Sequence, residues 1–306
     1  MLTAKENMRQ CIINGKPDRY VNQYEAMAFV MHPYSFTSKY PQKGGPDVVT
    51  AWGVTYSFPE NVPGGFPVHT PDKIVIKDIE HWRDYVHAPQ VKGLPENLWE
   101  MSIGMASQID GDKAFKCAMV APGIFENTHH LSGMQNALVY YMEYEDEMHD
   151  LIKYLTDWEL ELAEGTCSRL HPTAVFHHSD SYGANIVPIM IEMGIDVFQG
   201  CMHSNNVPEL VKKYGDKMTF MGEIDNKFVD FEGWTPEVVQ KAAVDAIERV
   251  NSLTGFIPCI TQGGPGSVYP GTYGELTKAI DNYNIEHFGC TQEEIEANRL
   301  PINIMF

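Results

Sequence analysis

The feature that most constrains the fold is an alternation of short apolar runs and helical segments in the second half of the chain. Residues 174–176 form a β-prone run, 177–183 a polar turn, and 186–193 a helix that Asn185 can cap. A second apolar run follows at 195–198. A strand, a polar loop and a helix in this order define a βα unit. In α/β barrels the loop at the carboxyl end of each strand holds the chemistry.

The same order recurs twice downstream. A strand at 218–223 precedes a helix at 235–253, with Pro236 at its first position. A strand at 256–260 leads through the glycine-rich loop 261–267 into a helix at 274–288. Strands that alternate with helices predict parallel β-structure. We therefore expect an α/β protein, a (β/α)8 TIM-type barrel.

The first half of the chain is less regular. It predicts a leading helix at 3–13 with Asn7 or Thr3 as its cap, and a long ordered Gly/Pro-rich excursion at 34–71 rather than regular elements. A strand at 116–120 and a long helix at 131–164 follow. No low-complexity linker divides the chain. The sequence thus predicts a single domain over 1–306, in which 1–90 form an N-terminal helix and loop extension that packs on the barrel.

Composition excludes several functions. The formal charge of -19 argues against a nucleic-acid or anionic-membrane surface, because phosphate binding needs clustered cations. The 6 cysteines form no CxxC pair, so neither a disulfide framework nor a zinc ribbon is indicated. Neither a signal-peptide core nor an apolar run of about 18 residues is present, so we expect a soluble, cytoplasmic protein.

Polar side chains follow three of the predicted strands. His177, His178 and Asp180 follow the first strand, Glu223 ends the second, and Cys259 lies in the third. Parallel strands deliver their carboxyl ends to one rim, and zinc accepts a mixed set of nitrogen, sulfur and oxygen ligands. Each residue also has a structural interpretation: a solvated histidine pair, a capping glutamate and a small buried cysteine.

Segments spread over nearly the whole chain carry a resemblance to a known superfamily. They are 16–19 (KPDR), 51–54 (AWGV), 63–67 (PGGFP), 120–126 (VAPGIFE), 177–181 (HHSDS), 221–225 (MGEID) and 258–266 (PCITQGGPG). With these segments the chain resembles the uroporphyrinogen decarboxylase-like superfamily. Within it, the chain is most similar to the corrinoid-dependent methyltransferases of O-demethylases that act on vanillate or veratrole.

The resemblance implies an activity and partners. Such methyltransferases move a methyl group from an aryl methyl ether to the Co(I) corrinoid of a separate carrier protein. The expected partners are therefore a corrinoid carrier protein and a small aromatic methyl ether.

The resemblance also implies a metal. Related methyltransferases hold zinc with a His-x-Cys pair and a later Cys; here His177 and Cys259 match, whereas Ser179 replaces the first Cys. The expected metal ligands are His177, His178, Cys259 and Glu223. We further assign catalytic roles to Asp180 and Glu223, and substrate contacts to Tyr182, Asn185, Gln262 and Glu126.

Two alternatives stay open. A decarboxylase of the uroporphyrinogen type is one, although its arginine-rich substrate motif has no counterpart near Arg19. The other follows from residues 170–183, where two His-His segments of the O-demethylase pattern are fused into one. One βα unit would then be absent, and the chain would be a non-catalytic paralogue that binds the corrinoid protein. An opened barrel would favour a homodimer.

Overall fold

The computed structural model describes residues 1–37, 39–60, 62, 64–174 and 176–300. Val175 of the first predicted βα unit and Pro63 of the PGGFP segment lie outside the described residues. The chain divides into two compact units. The first comprises Met1–Phe29, Ile109–Cys117 and Thr173–Phe306, and the second comprises Val30–Gln108 and Ala118–Pro172. The single domain expected over 1–306 stays a prediction.

The strands are short, and most lie in the first unit. In chain order they are β1 (Met27–Met31), β2 (Val48–Val49), β3 (Thr55–Ser57), β4 (Phe66–Pro67), β5 (Phe115–Met119), β6 (Phe176–His178), β7 (Val197–Cys201), β8 (Thr219–Ile224) and β9 (Phe256–Ile260).

Helices connect these strands. In chain order they are α1 (Ala4–Ile12), α2 (Tyr34–Thr37), α3 (Glu96–Ser107), α4 (Ile124–Ser132), α5 (Met134–Glu143), α6 (Glu145–Leu170), α7 (Val187–Glu192), α8 (Val207–Tyr214), α9 (Asn226–Val229), α10 (Pro236–Val250), α11 (Thr272–Phe288) and α12 (Gln292–Asn298). Three-residue 3-10 helices lie at Ala184–Ile186 and His203–Asn205, and a longer one at Ile79–Asp84. Within the described ranges, no helix combines the length and apolarity needed to cross a bilayer.

A parallel sheet organises the first unit. Strands β6, β7, β8 and β9 pair in that order, and every residue of β7, β8 and β9 is buried. β1 pairs with β5, and an isolated parallel bridge between Cys117 and Ala174 links β5 to the start of β6. Strands buried on both faces are typical of parallel sheets covered by helices. The predicted mixed α/β architecture with parallel strands is confirmed.

Local signals explain the helices that flank this sheet. The Thr3 hydroxyl accepts a hydrogen bond from the Glu6 amide and caps α1, as predicted. α1 then packs at β9, where the Cys11 thiol donates to the Phe256 carbonyl at 3.3 Å. Pro236 occupies the first turn of α10, where its missing amide hydrogen costs nothing.

Three predictions about local structure were wrong. Asn185 does not cap α7, because it lies inside the 3-10 helix Ala184–Ile186. The long helix at 131–164 is broken into α4, α5 and α6, since Gly133 has a positive φ of 81° and Tyr144 leaves the helical region. The excursion at 34–71 contains a regular three-stranded antiparallel sheet of β2, β3 and β4.

The second unit has an aromatic core. Trp52, Tyr34 and Trp158 pack edge to face with ring centroids 4.9 and 5.4 Å apart. The Trp158 indole donates to the Pro89 carbonyl at 2.8 Å, which satisfies its polar atom inside that core.

Candidate active site at the carboxyl edge of the parallel sheet

The parallel sheet brings four polar side chains to one edge. In the strand register His178 of β6 faces Gln199 of β7, and Glu223 of β8 faces Cys259 of β9. Gly200 lets β7 approach the end of β6, because a Cβ there would lie 2.9 Å from the Ser179 carbonyl oxygen. The strand register thus pairs His178 with Gln199 and Glu223 with Cys259.

Three of these side chains join Tyr24 in one hydrogen-bonded chain. His178 Nδ1 lies 2.5 Å from Gln199 Oε1, and Gln199 Nε2 donates to the Tyr24 hydroxyl at 2.8 Å. Tyr24 in turn forms a side-chain hydrogen bond with Cys259. We call these four residues the Gln199 network.

The network fixes the position of one proton. Gln199 Nε2 also lies 3.4 Å from the Thr261 carbonyl oxygen, which can only accept a hydrogen bond. The amide nitrogen must therefore face Tyr24 and Thr261, and Oε1 must face His178. His178 Nδ1 then carries a hydrogen. In the neutral ring the lone pair lies on Nε2, whereas the protonated ring presents an Nε2–H donor.

Burial sets the electrostatics of this edge. It raises the pKa of the Cys259 thiol and that of the Tyr24 hydroxyl, so both stay protonated. Burial, followed by the charge of His178, lowers the pKa of His177 and favours its neutral ring. The Gln199 network is thus a mostly neutral system whose exposed end is His178.

Glu223 belongs to a different group. Its Oε1 accepts from His203 Nδ1 and from Arg249 Nη1, both at 2.7 Å, while its Oε2 is buried without a hydrogen-bond partner. We call His203, Glu223 and Arg249 the Glu223 cluster. Burial raises the pKa of the Glu223 carboxyl, against the opposing effect of Arg249. Glu223 has a positive φ of 72°, a strained conformation for a non-glycine residue.

The remaining predicted site residues are not drawn into either group. Asp180 is half-buried in the loop after β6, and Tyr182 and Asn185 are exposed. The Gln262 backbone amide donates a hydrogen bond to Asn226 Oδ1 at 2.9 Å. Glu126 lies on α4 of the second unit, where it accepts from the Gly123 amide. Their substrate contacts stay predictions.

The predicted zinc ligands do not meet in this arrangement. Among the described residues, no three His, Cys, Asp or Glu side chains are grouped so that they could hold a metal ion. The Cys259 thiol faces Tyr24 and is disfavoured as a thiolate, and Glu223 is engaged by Arg249. These side chains would have to rearrange to bind zinc, and the zinc site stays a prediction.

Four residues of the two groups were missed by sequence reasoning. Gln199 offered a signal, since it is an amide in the middle of the otherwise apolar run 197–201. Tyr24, His203 and Arg249 offered none, because their partners lie between 20 and 175 positions away in the chain.

The sequence matches no protein-family model and no curated protein. The structure is similar to a solved methyltransferase from Methanosarcina mazei, with a TM-score of 0.58 and 10% sequence identity. That similarity covers 92% of this chain and 99% of the other. At this identity the likeness establishes a shared fold.

Proposed function

We propose that this protein is a methyltransferase that moves a methyl group from an aryl methyl ether to the Co(I) corrinoid of a separate carrier protein. Its likeness in fold to a methyltransferase over most of the chain supports the general activity. The observation that carries the proposal is the Gln199 network, which assigns a proton to His178 Nδ1 and so leaves Nε2 as the ring atom that can exchange one.

The proposed chemistry needs a proton donor. When its carrier protein is bound, the corrinoid supplies the cobalt nucleophile that accepts the methyl group. The carbon–oxygen bond breaks with its electron pair going to oxygen, and the phenolate that leaves must be neutralised. The Nε2–H of protonated His178 supplies that proton as a general acid.

Gln199 supports this role as a positioning residue. Its Oε1 accepts from His178 Nδ1 in both protonation states, so the ring keeps one orientation through the transfer. Asp180 and Glu223 are the alternative donors from the sequence. Glu223 is the weaker of these, because its Oε1 accepts from Arg249 and His203 and its Oε2 is buried.

The test is a donor panel. The protein is incubated with methoxylated aromatics and a reduced carrier protein that a known methyltransferase has been shown to methylate. We expect methyl-cobalt absorbance to rise as the free phenol appears. Absence of turnover across the panel, with the carrier verified in parallel, would reject the proposed reaction.

The proposed methyltransferase activity goes together with a (β/α)8 barrel and membership of the uroporphyrinogen decarboxylase-like superfamily.

A second candidate function is a non-catalytic paralogue that binds the corrinoid protein. β5 and β6 meet at the Cys117–Ala174 bridge, beside which the Thr173 amide donates to the Lys116 carbonyl at 2.9 Å. Residues 170–183, from which the absent βα unit was inferred, include one end of this bridge, and they are the ground for proposing a non-catalytic paralogue. Carrier-protein binding by calorimetry without turnover in the donor panel would support that alternative.

A further inference from the structure

A cavity lies in the first unit, and no member of the Gln199 network lines it. It has a volume of about 320 Å³, within the range of small-molecule sites, and runs along one flank of α10. Its apolar lining includes Ile224, Phe228, Val238 and Ala242. Phe228 and Val238 are 41% and 39% exposed, so an apolar ligand in the cavity would remove their surface from water.

The polar end of the cavity has hydrogen-bonding capacity that the described residues do not use. Arg249 lines it and is 33% exposed, and its guanidinium donates to the Glu223 cluster through Nη1 alone. A guanidinium has five N–H donors, so the Nε and Nη2 donors remain for a ligand. Glu223 also lines the cavity, and its side chain is only 1% exposed with Oε2 unpartnered.

The charges around the cavity select the ligand. Glu223 and the His203 ring both contact Arg249 at Nη1, so they engage one edge of the guanidinium and not its Nε and Nη2 edge. Lys241 and Asp245, also in the lining, neutralise each other through a 2.6 Å contact. The cation with donors directed to a ligand is therefore Arg249, and a single carboxylate matches its Nε and Nη2 edge.

We propose that this cavity binds a small monocarboxylate with an apolar body. The ligand carboxylate accepts hydrogen bonds from Arg249 Nε and Nη2, a geometry that planar guanidinium and carboxylate groups favour. Its apolar body lies against Phe228, Val238 and Ala242. The site uses no member of the Gln199 network and does not depend on the proposed methyl transfer.

Calorimetric titration with benzoate tests the proposal. Acetate, which lacks the apolar body, and benzyl alcohol, which lacks the charge, are the ligand controls. We expect benzoate to bind at least tenfold more tightly than either control. Equal binding of benzoate and benzyl alcohol, or no benzoate binding at millimolar concentrations, overturns the proposal.

Two variants locate the site. Arg249→Gln removes the cation, and Ala242→Phe fills the cavity without touching the Glu223 cluster. Each should weaken benzoate binding at least tenfold. Arg9→Gln, which removes an exposed arginine of α1 paired with Glu6, should leave it unchanged. If Arg249→Gln does not fold, as judged by circular dichroism, Ala242→Phe decides alone; wild-type affinity in that variant would exclude this cavity.

Discussion

The Gln199 network and the Glu223 cluster begin at register partners on neighbouring strands, yet they are built from opposite chemistry. Cys259 and Glu223 face each other across β9 and β8. The network consists of neutral donors and acceptors whose order fixes a proton, whereas the cluster balances a buried carboxylate against a cation. A neutral network depends on register and shape, and an ionic cluster depends on keeping both charges.

The network and the cluster also differ in exposure, and we expect them to have different roles. The network ends in an exposed imidazole that can exchange a proton with a substrate. The cluster encloses its carboxylate and holds Glu223 in a strained backbone conformation, which costs on the order of 1–3 kcal/mol. We therefore expect the network to govern activity and the cluster to govern stability.

The largest effect is expected at His178. His178→Ala should lower the methyl-transfer rate about 100- to 10,000-fold, the usual contribution of a general acid. Glu223→Gln, which keeps a hydrogen-bonding side chain in the cluster, should lower it less than about tenfold. Initial rates of methyl-cobalt formation at saturating ether measure both.

The matched control is His287→Ala, which removes an exposed histidine that stacks on Tyr283. Its rate should equal that of the parent protein. A full loss of activity in Glu223→Gln, with His178→Ala active, would reverse the two roles.

The second effect concerns stability. Arg249→Met leaves the Glu223 carboxylate buried without its cation and should lower the free energy of unfolding at pH 7 by about 3 kcal/mol. Glu223 has a folded pKa raised above 4.5, so its contribution to stability is fully present below pH 4.5 and is lost as pH rises through the folded pKa. The deficit of Arg249→Met should therefore shrink toward pH 4.5. Urea unfolding across this range measures it.

The control for that experiment is Arg9→Met, in which the lost partner, Glu6, is exposed. It should leave the free energy of unfolding nearly unchanged, because water screens an exposed ion pair. A deficit in Arg249→Met that stays constant with pH would mean that Glu223 does not titrate in the folded protein.

A third, smaller effect tests the positioning role of Gln199. Gln199→Glu places a carboxylate against His178 Nδ1 and stabilises the protonated ring, so the pH–rate profile should move to higher pH by about one unit or more. Gln199→Met, with similar volume and no charge, should lower the rate without that movement. An unshifted profile in Gln199→Glu would separate Gln199 from the proton transfer.

The sequence predicted the parts of this fold that local signals determine. Thr3 marks the start of α1, and Pro236 marks the start of α10. The apolar run 256–260 coincides with β9. These predictions succeeded because each depends on residues a few positions apart.

What failed depends on longer-range geometry. The apolar spacing predicted one helix over 131–164, but the positive φ of Gly133 ends α4 there. The sequence placed His178 and Cys259 at one edge, but it could not show that Gln199 and Tyr24 bridge them. That bridge needs the strand register and a contact across 175 positions. Glu223 was assigned to the same site because it ends a predicted strand. The sequence does not show which partner its side chain contacts.

The smallest effect is an expected lack of reaction at Cys259. Native protein treated with iodoacetamide at pH 8 should be alkylated at exposed Cys167 and spared at Cys259, whose buried thiol has a raised pKa. Peptide mass spectrometry measures both sites, with and without a chelator. A zinc-bound thiolate would also be protected, but it would become reactive once the chelator removed the metal. Alkylation of Cys259 only after chelation, with a matching loss of zinc by elemental analysis, would establish the zinc site predicted from the sequence and contradict the Tyr24–Cys259 contact.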